Sequence, residues 1–565
     1  MKIKLIQILK LINPSIFLLI FFMITGCEKK SSFSQIDSKL INPSLHKTSE
    51  IELKNWHFKD IVIDTLPGIS LQRAYDSLLS AKKGIIIIVA VIDTEIDINH
   101  KDLVDKFWIN KNEIPNNKID DDKNGYIDDV NGWNFIGNQD GYNIIYSNLE
   151  SIRIIQEFKN IFQDQQINEV SVEKRNDFRL YLKATKDYKE KLKMILADKK
   201  YADFLYKGYP AAIRALKLIL PEEQFNIKKL DSIYDKYKIK DDKLAKHAYF
   251  LSDCIKYNLS KKWIKEYRVD INNKINKTYN QSYFEKDKID SHPKDINFDN
   301  YGNKFINKNI DKFYHGTLIA GVIAAKRNNN IGIDGVSDNI KIMPISISSN
   351  GEENDKDIAV AIKYAVNNGA KVINMSFGKN FSLNKEWLFD ALKYAEQKDV
   401  LIVSSAGNSK YNLNEFNNYY PNDNLNNEEE ISDNFLLVGS ISSNLNNKLL
   451  SFYSNHGNLD VDVFAPGQDI YTTLPNNKYK FDSGTSLSAA ITSGVAALLF
   501  SYFPSLTASQ VKHILMDSGL EYTMEVNTPT KEDKNKTTPF NKLSKSGKVL
   551  NAYNALIMAD NVSRN

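Results

Sequence analysis

The sequence predicts an α/β protein in which an open parallel sheet is flanked by helices and interrupted by one large all-helical insertion. Three observations lead there. The run I-I-I-I-V-A-V-I-D at 85–93 is almost wholly apolar and ends in a carboxylate, the pattern of a strand buried on both faces of a parallel sheet. After residue 296, strand-like and helix-like segments alternate, as they do in sheets with helical crossovers. Between these regions, residues 141–295 contain only Gly141 and Gly208 as glycines and repeat apolar residues at helical spacing.

Composition narrows the class. The 565 residues are 42% hydrophobic and 25% charged, which excludes wholesale disorder and a polytopic membrane protein. A net charge of +4, from 74 basic and 70 acidic residues, is too balanced for a surface that reads phosphates, so no nucleic-acid partner is expected. Two cysteines, Cys27 and Cys254, cannot build a disulfide framework.

Residues 1–26 carry Lys2, Lys4 and Lys10, no acid, and an apolar run from Ile16 to Ile24. As a helix that run reaches about 14 Å, too short for a bilayer core, and the arrangement is that of a secretory signal. It ends I-T-G-C at 24–27, which resembles the lipobox of bacterial lipoproteins. That resemblance implies lipidation of Cys27 and a membrane anchor at the cell envelope, at the outer membrane or cell surface rather than the inner membrane.

Residues 27–84 form an N-terminal tether and packing segment. The stretch 28–52 is polar, and L-Q-R-A-Y-D-S-L-L-S-A predicts a helix over 71–81. Trp56–Ala81 is expected to stay attached and pack on the main domain, which comprises 85–140 plus 296–560. In that domain, strands are predicted at 340–347, 370–376, 400–406 and 434–440, with helices at 355–368 and 385–397 and a helix-rich end over 486–560. The insertion 141–295 predicts five or six helices, with Cys254 on an apolar face. Its basic excess is +9, read first as solvated helix faces. Since its two ends must return to one sheet, it is expected to fold as a lobe near the loops where the chain leaves and re-enters the main domain. Replacing 145–292 by a short linker should then spare the basic activity of that domain. The chain is expected to be a monomer.

Three segments carry chemistry: A-V-I-D-T-E-I-D with Asp93 at a strand end, H-G-T-L-I-A-G-V from His315, and S-G-T-S-L-S-A-A with Ser486 at a helix start. Each alone is an ordinary cap or turn. Together, in the order Asp, His, Ser, they resemble the subtilisin family of serine proteases. The resemblance spans roughly 85–140 and 296–560.

It implies a subtilisin-like fold and peptide-bond hydrolysis on protein or peptide substrates. Ser486 would be the nucleophile, His315 the base that takes its proton, and Asp93 the carboxylate that orients the ring. Asn408, in S-S-A-G-N, matches the family's oxyanion asparagine. Ser376, Phe377 and Gly378 match the strand lining the primary specificity pocket, with Ser405, Ala406 and Gly407 opposite. Pro466 and Gly467 in V-F-A-P-G are fold markers. Glu95, Leu318, Leu487 and Ala490 depart from the family pattern, and Glu95 adds a charge near Asp93. The reading from a different class is a catalytically silent binding or scaffold protein on the same fold.

The loop D-D-D-K-N-G-Y-I-D-D at 120–129 places oxygen ligands at alternate positions before Gly125. Asp120, Asp122, Asn124, the Tyr126 carbonyl, Asp128 and Asp129 are candidate ligands for a structural calcium ion. No cofactor is expected for the chemistry itself.

Overall fold

The computed structural model describes Gln35 and residues 50–221, 224–416, 418–424 and 430–564. The chain divides into a short unit, Met1–Asp37, and a large one, Ser38–Asn565, which holds every element below. Residues 1–26, expected from the sequence to be a secretory signal, and Cys27 lie outside the described residues.

The strands are β1 (Ile87–Asp93), β2 (Trp133–Asn134), β3 (Ile340–Ser346), β4 (Val372–Met375), β5 (Leu401–Ser405), β6 (Phe435–Ile441), β7 (Val463–Pro466), β8 (Ile470–Leu474), β9 (Lys478–Asp482), β10 (Leu520–Glu521), β11 (Glu525–Asn527), β12 (Thr537–Pro539) and β13 (Lys548–Val549). The main sheet runs β10-β13-β7-β6-β5-β4-β1-β3-β2, and only its β10–β13 pair is antiparallel. β1 is buried along nearly all its length, as its apolar run requires. It lies between β3 and β4, so the chain order reverses there. In open parallel sheets a crevice opens at the carboxyl end of such a strand. Asp93 is that end.

After a four-residue helix at Glu50–Leu53, the α-helices are α1 (Leu71–Ala74), α2 (Glu150–Phe162), α3 (Arg175–Lys217), α4 (Ile227–Tyr237), α5 (Asp242–Lys256), α6 (Lys261–Asn276), α7 (His315–Ala324), α8 (Asp355–Asn367), α9 (Lys385–Gln397), α10 (Thr485–Tyr502), α11 (Ala508–Asp517) and α12 (Ala552–Val562). α7 and α10 are apolar all round and buried, as core helices should be. α10 is long and apolar enough to cross a membrane, yet 94% of it is buried inside the protein. It is a core helix.

The N-terminal segment packs on this body. Trp56 is fully buried and donates its indole N–H to the Asp469 carbonyl at 3.2 Å. Tyr75 donates to the Val336 carbonyl at 2.9 Å, and Asn551 donates its amide to Ser70 Oγ at 2.9 Å. The predicted helix begins as α1 and widens into a π turn over Tyr75–Leu79.

α2–α6 form the helical insertion. Its outer part has its own core, in which Cys254 packs with Leu205, Leu216, Leu230 and Leu251. Its base is joined to the main domain by hydrogen bonds. The framing segments interlock before and after the helices: Asn134 and Asn303 exchange backbone hydrogen bonds at 2.8 and 3.0 Å, and Trp133 donates to the Tyr301 carbonyl at 2.8 Å. Asn148 donates to the Lys277 carbonyl at 3.0 Å, and Thr278 donates to the Asn350 carbonyl at 2.7 Å.

Buried charges tie α2 to the main domain. Glu150 pairs with Arg153 at 2.7 Å and with Lys379 at 3.2 Å; Lys379 also pairs with Asp355 at 2.6 Å, and Arg153 with Glu285 at 2.8 Å. Each is at most 9% exposed. Burial opposes the charge on Glu150, but Lys379 and Arg153 outweigh it and hold the carboxyl well below its usual range. A cut at 145 and 292 would take Glu150 from Lys379, Lys286 from Asp357 and Asp290 from Lys356, leaving buried charges in the main domain without those partners. The lobe is not separable there, because buried charges are tolerated only when paired.

Glu150→Gln should lower stability in urea unfolding by about 3–5 kcal/mol, the range for breaking a buried pair. Asp242→Asn, in an exposed pair with Lys246, should leave the midpoint unchanged. The Glu150 contribution is complete above the ordinary glutamate range and fades as pH falls through its lowered value, so the variant gap should narrow in acid.

Candidate active site

The reversal of strand order brings Asp93 and His315 together although 222 positions separate them. His315 Nδ1 lies 2.8 and 2.9 Å from the two Asp93 carboxylate oxygens. A carboxylate only accepts, so Nδ1 carries the hydrogen and Nε2 is left for the cleft. Thr94 N–H donates to Asp93 Oδ1 at 2.7 Å, and Gly316 N–H donates to Thr94 Oγ1 at 2.9 Å, which locks strand end to helix start. Burial works against a charged ring at His315, but Asp93 overrides it, with Asp482 and Glu353 adding to the effect, and the pKa is raised above its ordinary value.

Glu95 does not crowd Asp93. It is fully buried and accepts from the Asn143 and Asn309 amides at 2.8 and 2.9 Å and from the Asn309 backbone N–H. One carboxylate thus joins the strand end to the chain before and after the insertion. Leu318, Leu487 and Ala490 are buried apolar residues that touch none of these bonds.

Ser486 sits in the first turn of α10 and is 9% exposed. Its hydroxyl donates to the Ser376 carbonyl at 2.8 Å, and Ser376 Oγ donates back to the Ser486 carbonyl at 2.9 Å. A hydroxyl has one proton, so giving it to an imidazole requires Ser486 to release Ser376 first. Beneath lie Asn374, which donates to Ser376 Oγ at 2.9 Å, and Ser493, which donates to Asn374 Oδ1 at 3.0 Å.

Asn408 is exposed, and its orientation is set by its oxygen, which accepts from Thr485 N–H at 3.0 Å and Thr485 Oγ1 at 2.9 Å. The amide nitrogen faces the space beside Gly484. A β-carbon built on Gly484 would stand 3.5 Å from Asn408 Nδ2 and 3.8 Å from Ser486 N. Both nitrogens therefore lie within 4 Å of one point, which is also 3.9 Å from Ser486 Cβ, so two potential donors for an oxyanion stand close to Ser486. Asn455, which sequence reasoning missed, holds this loop: it donates to the Ala406 carbonyl at 2.8 Å and accepts from Ser409 and Tyr411 N–H at 3.0 and 2.9 Å.

Ser376, Phe377 and Gly378 continue β4, while Ser405, Ala406 and Gly407 end and continue β5, so the two sets face each other as backbone walls. Gly407 has φ +100°, which favours glycine.

In the acidic loop, carboxylate oxygens of Glu113, Asp120 and Asp122 lie within 4.8 Å of one another. Asp128 and Asp129 turn elsewhere: Asp128 pairs with Lys304 at 2.8 Å, and Asp129 accepts from Tyr364 OH at 2.6 Å. Asn124 Oδ1 accepts from Tyr126 N–H at 2.8 Å, and the Tyr126 ring packs against Trp133, Phe135 and Tyr364. Glu113 was missed because it lies seven positions before the loop; its signal is that its carboxylate accepts the loop N–H groups of Asp121, Asp122 and Asp128.

Residues 84–545 match the family model described as the subtilase family. The chain is 34% identical over 212 residues to subtilisin DY of Bacillus licheniformis, covering 37% of this chain and 72% of that protein. It is 33% identical over 228 residues to the cell wall-associated protease of Bacillus subtilis, covering 40% of this chain and 23% of that one. Among solved structures it is similar to a protease from Pseudoalteromonas arctica, at 27% identity and TM-score 0.34, over 43% of this chain and 70% of the other.

The raised pKa of His315 has a direct readout. Its ring should titrate above 6.5 by NMR, and Asp93→Asn should move that value down, since the charge that outweighs burial is then gone.

Proposed function

The chain belongs to the subtilase family, and we propose that it is a serine endopeptidase that cleaves peptide bonds through an acyl-enzyme. Asp93, His315 and Ser486 are its triad and Asn408 its side-chain oxyanion donor. The observation that carries this reading is the paired Asp93–His315 contact, together with two nitrogens, Asn408 Nδ2 and Ser486 N, that lie within 4 Å of one point near Ser486.

The steps follow from the geometry. An extended substrate pairs with the backbone of 376–378 and presents its carbonyl to Ser486. Ser486 Oγ leaves the Ser376 carbonyl, gives its proton to His315 Nε2 and bonds to the acyl carbon. Asp93 steadies the imidazolium through Nδ1–H. The carbonyl oxygen, now negative, takes hydrogen bonds from Asn408 Nδ2 and Ser486 N–H, which need no rearrangement to meet it. The carbon–nitrogen bond then breaks, and His315 hands its proton to the departing amine. Water repeats the sequence on the ester and frees Ser486.

Two further features belong to the proposal. Cys27 carries the lipid that fixes the enzyme to the cell envelope. Glu113, Asp120 and Asp122 hold a calcium ion: they are three clustered carboxylates, and none forms a salt bridge with a lysine or arginine among the described residues. Bound there, the ion would supply charge balance and stiffen the loop. It takes no part in the bond-breaking steps.

A fluorophosphonate probe should label the wild-type protein and not Ser486→Ala; a folded wild type that takes no label would favour the silent scaffold. Asp93→Asn should reduce kcat/KM by about 10⁴. The acid limb of kcat/KM should lie above pH 6.5, because a base whose pKa is raised stays protonated to higher pH. For the ion, saturation at about a hundredfold over Kd should add about 2.7 kcal/mol. A chelator should therefore lower Tm in the wild type and leave Asp122→Ala unaffected.

A further inference from the structure

Between the two backbone walls of the cleft, where the proposed reaction needs room for a substrate side chain, stands the ring of Tyr419. The residue that supplies the attacked carbonyl must lie beside Ser486 with its oxygen toward Asn408. Its own side chain then has one place to go, the gap between 376–378 and 405–407.

That gap is filled. Tyr419 is 5% exposed and donates its hydroxyl to the Ser405 carbonyl at 2.9 Å, reaching one wall. A β-carbon built on Gly378, on the opposite wall, would collide with Tyr419 Oη and Cζ. One built on Gly407 would stand 2.7 Å from Tyr419 Cε2. The ring therefore lies against both glycines, in the volume that their missing side chains leave.

It is also held there. Its neighbour Tyr420 exchanges backbone hydrogen bonds with Lys379, both at 2.9 Å. Lys379 is itself pinned by Asp355 at 2.6 Å and Glu150 at 3.2 Å. Swinging the ring out would break the Ser405 bond and expose a buried aromatic, so the ring is a fixed floor and not a flap.

We propose that Tyr419 closes the primary specificity pocket and restricts cleavage to peptides with a small residue, glycine, alanine or serine, at the attacked carbonyl. The inference rests on the endopeptidase reading above.

The test compares peptide 4-nitroanilides that differ only in alanine or phenylalanine at that position, alongside labelling by a fluorophosphonate that carries no side chain. Wild type should favour alanine in kcat/KM by at least about tenfold, the lower end of what a pocket boundary discriminates. Tyr419→Ala should abolish or invert that ratio, and Tyr419→Phe, which keeps the ring and loses only the Ser405 bond, should retain it. Three outcomes overturn the proposal while leaving the endopeptidase reading intact. They are a labelled wild type that cleaves the phenylalanine substrate as well as the alanine one, a labelled Tyr419→Ala with an unmoved ratio, and a labelled Tyr419→Phe that loses the preference. If Tyr419→Ala does not fold, the wild-type panel and Tyr419→Phe decide alone. A folded wild type that takes no label removes the endopeptidase reading and this inference together.

Discussion

The hydrogen bond between Asp93 and His315 joins points 222 residues apart, and much of the architecture follows from closing that distance. A strand buried on both faces delivers Asp93 to the crevice, and an apolar helix buried beneath it delivers His315 from the other side. The intervening chain must leave and return at one sheet edge. Loop-closure entropy grows only slowly with length, so a long excursion is tolerable if its ends are fixed together. They are fixed by backbone exchange between Asn134 and Asn303 and by Glu95, which gathers Asn143 and Asn309. Glu95, which departs from the family pattern, thus has a structural use, and its charge is taken up by amides.

The same excursion reaches into the cleft. Arg153 donates to the Glu352 and Glu353 carbonyls at 2.8 and 3.2 Å, and Lys379 donates to the Glu353 carbonyl at 2.8 Å. Lys379 directly follows Gly378, so one buried network holds the 352–355 segment and the 376–379 wall at a set distance. Such networks add little net stability compared with an apolar core, but they specify geometry, since every misplacement leaves a charge without a partner. The surplus of lysine in the insertion is a separate matter. Pairs such as Lys199–Asp203, Lys246–Asp242 and Lys274–Asp270 lie one helical turn apart on partly or fully exposed faces, where they act as solvating charges.

Local patterns carried most of what was legible. The apolar run ending at Asp93, the helix starts at His315 and Ser486, and the strand–helix alternation after 296 each declare themselves over a short window, because burial on both faces leaves no polar positions to confuse the period. What could not be read depends on distant partners. Glu113 joins the acidic loop only because the fold returns its carboxylate to the loop N–H groups. Tyr419 reads as one aromatic among 29 tyrosines, and its position against Gly378 and Gly407 exists only once β4 and β5 are paired. The contacts at the base of the insertion are illegible for the same reason: a compositional boundary records where glycine disappears, not where buried charges find partners.

The resting state of Ser486 shows how the burden of the proposed chemistry is distributed. Asn408 is already oriented by Thr485, and Thr485 Oγ1 also takes the Gly407 N–H at 3.1 Å, so the Asn408 loop and the helix that carries Ser486 share one bonded junction. Nothing in that junction needs to move when charge develops on the substrate oxygen. The one bond that must change is that from Ser486 to the Ser376 carbonyl, a neutral hydrogen bond of roughly 1 kcal/mol net. Rotating a hydroxyl is a small step beside reorienting an amide or a loop. A site that concentrates its rearrangement in one rotor and keeps its dipoles fixed spends little energy on reorganisation as the barrier is crossed, which is the condition under which fixed dipoles stabilise a developing charge most effectively.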